Sequence, residues 1–286
     1  MKAQLLHLNN NLTHSFNARK DSTPQYHNLW HYHEELELIY FAQGSGTQFI
    51  GDSVRRFESG DMTLVGSNLP HYWLFDEIYL RADPMPADIR VIHFKENFWG
   101  NEFMNLPENK DIKDLMRISQ RGIALSASSK RKTEPLMDAI LATTGTSRII
   151  HLLEILNIIA GEQQQDLLTS STFTIQLQNQ DADRMRIAMQ YIGENYRDQI
   201  RLQELASLTG MTPNSFCRYF KSQIGKTLFQ FLIEMRVKTA CTLLLENKHT
   251  VKQICFEAGF QNFSSFHKYF KNITGTTPLN FQKSKA

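Results

Sequence analysis

Two stretches of this chain repeat one layout, and any fold must accommodate both. "LQELASLTGMTPNSFCRYFKSQIGKT" and "VKQICFEAGFQNFSSFHKYFKNITGTTP" each place an apolar-small pair, Leu205-Ala206 or Ile254-Cys255, before a glycine, Gly210 or Gly259. A polar turn follows, then phenylalanines four apart, Phe216 and Phe220 or Phe266 and Phe270, then a lysine and a later glycine, Gly225 or Gly275. Residues four apart share one helix face, so each copy predicts a short helix, a glycine-assisted turn and a second helix. The chain is expected to carry two helix-turn-helix units.

If the phenylalanines face inward, the opposite face of each second helix is fixed. In the first copy it carries Asn214, Cys217 and Arg218, followed by Lys221; in the second it carries Phe263, Ser264, His267 and Lys268, followed by Lys271. Amide, hydroxyl and guanidinium groups on one exposed face suit base edges in a major groove, and the lysines suit phosphates. A solvated polar face is the plain alternative for one copy; two copies at matched spacing favour the DNA reader. Between them, "LFQFLIEMRVKTACTLLLEN" places Leu232, Met235, Ala240 and Leu243 at helical spacing. A connecting helix of about 17 residues spans roughly 25 Å, enough to hold two reading helices near one DNA turn, about 34 Å, apart.

The formal net charge of +2 is unevenly distributed. Residues 183–286 carry 15 Lys and Arg against 7 Asp and Glu, a net +8, while the preceding residues carry 16 against 22, a net −6. The basic part suits a polyanion and the acidic part does not. From Leu29 to about Phe94 the chain reads as short strands, with hairpin signals at Gly51-Asp52 and Gly60-Asp61. Helical periodicity follows in "DIKDLMRIS" and "EPLMDAILATT" and in the stripe Ile149, Leu152, Leu153, Leu156 and Ile159, which docks on the β-region or pairs with its twin in a homodimer. The Gln, Ser and Thr-rich residues 166–182 read as a linker between a β-rich N-terminal domain, 1–165, and a basic helical domain, 183–286, suited to DNA. The fold class is therefore α+β in two domains. Cys217, Cys241 and Cys255 are an odd set without a CxxC pair, so a disulfide framework and a zinc finger are not expected. No apolar run approaches the roughly 20 residues of a membrane helix, and a cytoplasmic protein without membrane contact is expected.

On the residues Ala206, Gly210, Phe220-Lys221, Gly225, "EMRVKTACTLL" with Arg236 and Ala240, and "ICFEAGFQNFSSFHKYFKNITGTTPLNF", residues 183–283 resemble the DNA-binding domain of the AraC/XylS family of bacterial transcription regulators. The resemblance implies base-facing positions at Asn214, Cys217, Arg218, Ser264, His267 and Lys268. Cys217 stands where a longer polar residue is common, and Phe263 suits a thymine methyl group. The stretch from His31 to Trp73 resembles the family's cupin-like β-barrel sensing domain, through His31-x-His33-x3-Glu37-x6-Gly44, then Gly60 and His71.

Two readings of that motif stay open. In one, His31, His33, Glu37 and His71 hold a divalent metal, with zinc, iron or nickel suited to the donors; in the other they line a pocket as hydrogen-bonding groups without any metal cofactor. A straight strand would put His33 and Glu37 about 13 Å apart, so sharing an ion requires a bend. Trp30, Tyr40, Phe49 and Trp73 are candidate aromatic walls for a small effector such as a sugar, or core. The resemblance implies an activator that contacts double-stranded DNA and RNA polymerase under small-molecule control, and not an enzyme. A metal-dependent cupin enzyme fused to a DNA-binding domain is the alternative, and an architectural DNA binder without sequence preference is a third reading.

Overall fold

The computed structural model describes residues 15–24, 27, 30–80, 83–171, 173 and 181–285; Leu29 and residues 172 and 174–180 of the expected linker lie outside them. The chain forms two compact units that divide between residues 175 and 176.

Among its described residues the N-terminal unit has nine strands: β1 (Asn17–Asp21), β2 (Leu36–Gln43), β3 (Gly46–Ile50), β4 (Ser53–Phe57), β5 (Asp61–Val65), β6 (His71–Phe75), β7 (Asp88–Phe94), β8 (Ile123–Ala124) and β9 (Asp166–Leu167). They make a six-stranded sheet, β1-β7-β2-β5-β8-β9, and a three-stranded sheet, β4-β3-β6. The sheets do not close into the single barrel expected from the sequence. Gly51-Asp52 forms the β3–β4 hairpin turn, with Ile50 opposite Ser53. Asp166–Leu167, placed in the linker by composition, instead pairs with β8, and Leu168 is buried between the sheets.

Alternation along β2 sorts this unit into two cores. Leu36, Leu38 and Tyr40 face α1 (Asn101–Met104), α2 (Lys110–Ser119), α3 (Ala127–Ala142) and α4 (Thr146–Ala160) in one cluster that includes Met62, Leu64, Ile92 and Phe94. The stripe on α4 is buried here through Leu152, Ile155, Leu156 and Ile159. Ile39 and Phe41 point the other way, into the space between the sheets, with Val91, Phe57, Trp73 and Phe75. Glu37 shares their parity.

The C-terminal unit is helical: α5 (Asp181–Asn195), α6 (Leu202–Leu208), α7 (Pro213–Ile224), α8 (Leu228–Glu246), α9 (Val251–Glu257), α10 (Phe263–Thr274) and α11 (Pro278–Lys285). Local signals set these boundaries. Thr212 and Asn262 cap α7 and α10 by accepting from the backbone N–H three residues on, and Thr227 with Gln230 and Thr250 with Gln253 form capping boxes on α8 and α9. The repeated glycines Gly225 and Gly275 close α7 and α10 at φ 75° and 77°, left-handed geometry that a side chain disfavours. Phe216, Phe220, Phe266 and Phe270 are all fully buried. Among the described residues no helix is long and apolar enough to cross a membrane.

Truncating Phe270 leaves a ring-sized void against Phe266 and Phe281. Phe270→Ala is expected to destabilise the C-terminal unit by about 3–5 kcal/mol in chemical unfolding; a loss below about 1 kcal/mol would contradict this core assignment.

Candidate nucleic-acid interface and buried histidine–carboxylate site

The capped helices α7 and α10 are the second helices of the two repeats. Burial of Phe216, Tyr219 and Phe220 leaves Asn214, Cys217, Arg218 and Lys221 exposed on α7. On α10, Phe263, Ser264, Lys268 and Lys271 are exposed. His267 is half-buried where its neighbours on that face are exposed. Its ring packs edge-on to Phe263 at 4.6 Å and to Phe266 at 5.7 Å, with Nε2 shielded from solvent and without a hydrogen-bond partner. Ser264 and Lys268 are exposed on that face, and His267 is half-buried beside them. Between the repeats α8 runs 19 residues, about 28 Å at the helical rise. Leu232, Met235 and Ala240 are buried, and Leu243 packs beside the core. Burial pushes the thiols of Cys241 and Cys255 up to about 11, which keeps them protonated and unreactive.

In the N-terminal unit, His31, His33, Glu37 and His71 are all buried, and one donor atom from each lies within 4.8 Å of the others. The strand begins only at Leu36, and the chain bends at Glu34 and Glu35, so the estimate for a straight strand does not apply. The turn between β5 and β6 fixes the bend: Asn68 N–H donates to His33 O at 2.8 Å and Ser67 Oγ to Glu34 O at 2.7 Å. Paired backbone bonds between His31 and His71, of 3.0 and 2.9 Å, complete the frame.

The hydrogen bonds orient the rings. His33 Nδ1 donates to Glu35 O at 2.9 Å and His71 Nδ1 to Leu69 O at 2.7 Å, because a carbonyl can only accept. Both Nε2 atoms therefore face Glu37 Oε2, at 3.4 Å from His33 and 3.8 Å from His71. A fifth residue enters here that the sequence reading missed. His93 lies opposite Glu37 in the β2–β7 register, accepts from Arg19 at Nδ1 over 3.0 Å, and so donates from Nε2 to Glu37 Oε2 at 2.5 Å. The available signal was the position of His93 on the strand-like "DIRVIHF", but its partner is 56 residues away.

Burial alone would raise the pKa of Glu37, yet His93, His33 and His71 hold it well below 4.5, so it is a carboxylate. Burial depresses His71 and His93 to about 4, so both rings are neutral near pH 7. Among the described residues, Glu37 Oε1 and His71 Nε2 are then buried acceptors without a donor. Backbone-anchored imidazoles aimed at an ionised carboxylate are a donor set that fits a divalent transition-metal ion, with His93 and Arg19 as outer support.

The aromatic candidates divide. Trp73 is fully buried beside His71, at 4.9 Å between rings, and belongs to a stack with Phe41, Phe57 and Phe75 that fills the space between the sheets. Phe49 stacks on Tyr72 at 5.3 Å, and Trp30 is buried. Tyr40 is absent from this space. Strand alternation turns it to the helical side, where its hydroxyl donates to Glu134 at 2.7 Å and Arg90 lies 5.3 Å over its ring.

Residues 205–284 match the family model described as "Helix-turn-helix domain". They are a helix-turn-helix domain. The chain is 27% identical over 103 residues to the HTH-type transcriptional regulator YdeC of Bacillus subtilis, covering 36% of this chain and 35% of that protein. It is 28% identical over 152 residues to an HTH-type transcriptional regulator of Haemophilus influenzae, covering 52% and 50%. These first relatives are thus matched over half their length or less. The HTH-type transcriptional activator RhaR of Mannheimia succiniciproducens is 22% identical over 259 residues, covering 88% of this chain and 86% of that protein. Among solved structures, ToxT of Vibrio cholerae aligns over 95% of this chain and 98% of its own, at 11% identity and a TM-score of 0.37. The basic C-terminal part thus coincides with the helix-turn-helix domain.

The buried histidines predict a pH dependence. His71 and His93 stay neutral in the folded protein down to about pH 4, whereas unfolded histidine takes a proton below about 6.5. Stability of the metal-free N-terminal unit is therefore full above about pH 6.5 and falls towards pH 4, by up to about 1.4 kcal/mol per pH unit for each histidine. Glu37 adds its loss below 4.5 as it is protonated. Unfolding in chelator should show this slope, reduced in His93→Gln; a midpoint unchanged between about pH 7 and about pH 5 would contradict the assigned neutral rings.

Proposed function

We propose that the chain is a sequence-specific transcription regulator whose N-terminal unit is a cupin-like sensor for a divalent transition-metal ion held by His31, His33, Glu37 and His71. The observation that carries this reading is the buried, partnerless pair of acceptors, Glu37 Oε1 and His71 Nε2, on the same chain as a helix-turn-helix domain. Buried acceptors in one cluster are costly unless a cation answers them. The aromatic stack argues for an ion over a sugar, because Phe41, Phe57, Trp73 and Phe75 pack on one another. The relatives are named as regulators, which supports sensing over turnover at this cluster.

In this reading α7 and α10 enter successive major grooves. Asn214, Cys217 and Arg218 read one half-site; Ser264, Lys268 and the Phe263 ring read the other, while Lys221 and Lys271 meet phosphates. The name of the Mannheimia relative supports an activator, which would contact RNA polymerase.

Titration calorimetry of the purified chain with zinc, nickel or iron(II) should give one ion per chain, and Glu37→Gln or His33→Ala should weaken binding about 100-fold or more; an unbound wild type overturns the metal reading. Selection of random duplexes followed by footprinting should return a long bipartite site. Arg218→Ala should cost about 1–3 kcal/mol there and relax one base position, and an unaltered sequence preference would remove Arg218 from base readout.

A further inference from the structure

Two reading helices specify a bipartite site only if their separation is held fixed, and one connecting helix is a weak guarantee of that. The C-terminal unit contains a second tie. The backbone between α5 and α6, Tyr196 to Asp198, is gripped by side chains of α8: Arg236 Nε donates to Tyr196 O at 2.7 Å, and another guanidinium nitrogen donates to Asp198 O at 2.8 Å. The Tyr196 hydroxyl adds a 2.9 Å bond with Thr239 Oγ1. The same backbone meets the second repeat from its other side. Gly259, in the turn between α9 and α10 at φ +92°, lies so close that a Cβ there would sit 2.6 Å from Arg197 O and 2.7 Å from Arg197 Cα. Neither backbone atom can move aside as a flexible side chain would.

We infer that this three-way joint, α8 with the 196–198 backbone and Gly259, is a specificity device: it sets the separation of the two half-sites that α7 and α10 read. The inference rests on the proposed reading of two half-sites by one chain. The 196–198 segment leads directly into α6, the first helix of the first repeat, and Gly259 leads directly into α10 through its turn. Clamping them together bounds the motion of one repeat against the other, independently of bending in α8. Arg236 holds the clamp by a fork of two hydrogen bonds to carbonyls, which an ammonium cannot reproduce.

The test compares full-length wild type with Gly259→Ala and Arg236→Lys on one duplex family: the bipartite site recovered by selection, with spacers lengthened or shortened by about one or two base pairs. Each added pair shifts and rotates one half-site, about 34 Å and a full turn per 10–10.5 pairs. The wild type should lose about tenfold or more in affinity at the altered spacers. The joint variants should lose about threefold or less relative to their own optimum. A general folding defect lowers affinity for every spacer alike and leaves that ratio unchanged, so the ratio isolates positioning. Thermal unfolding identifies a variant that fails to fold, and Arg236→Lys introduces no new atom at the glycine contact. A wild-type ratio retained in a folded variant overturns the joint as the determinant. A wild type indifferent to spacing also overturns it, and in addition removes the two-half-site reading.

Discussion

A carboxylate removed from water must be answered by donors or by a cation, and Glu37 at 1% exposure imposes that demand on the N-terminal unit. The strand alternation that puts Ile39 and Phe41 between the sheets necessarily puts Glu37 there too. One oxygen is satisfied by His93, whose donating nitrogen is fixed by Arg19 on β1. The other, Oε1, has no hydrogen-bond partner among the described residues, and His71, whose Nδ1 is committed to Leu69 O, leaves its Nε2 unpartnered 3.8 Å from the first oxygen. Replacing any of these groups by an apolar one would be easy chemistry for a core. Together, with His33 and His71 anchored by backbone carbonyls, they give the unit a site suited to a cation.

In the C-terminal unit an apolar constraint plays the corresponding part. Paired phenylalanines on α7 and α10 decide which faces turn inward, and the remaining faces are where Arg218, Ser264 and Lys268 stand exposed. Caps at Thr212 and Asn262 start both helices at equivalent positions, so the polar groups emerge in the same phase on each. In the proposed reading, an ion in the N-terminal unit would act on DNA affinity only through its differential affinity for the states that bind DNA well and badly.

The repeats were legible because phenylalanines four apart and the closing glycines act locally, within one helix. The cluster of His31, His33, Glu37 and His71 was legible as a motif, but the 13 Å strand estimate assumed extended chain where the structure bends at Glu34 and Glu35. That bend depends on bonds from Ser67 and Asn68, more than 30 residues on. His93 was hidden for the same reason: only sheet register brings it to Glu37. Tyr40 is the reverse case, since its parity with Leu36 and Leu38 already placed it away from Glu37. For His267 helical spacing pointed outward, and contact with Phe263 one turn earlier drew the ring down.

The measurement closest to the central claim is the affinity of the full chain for its selected site with the ion saturating and with the ion chelated. A metal-sensing regulator requires the two dissociation constants to differ by about 5–150-fold, and requires the same factor in metal affinity with and without DNA. Equal dissociation constants, with the ion demonstrably bound in one sample and absent from the other, would contradict it.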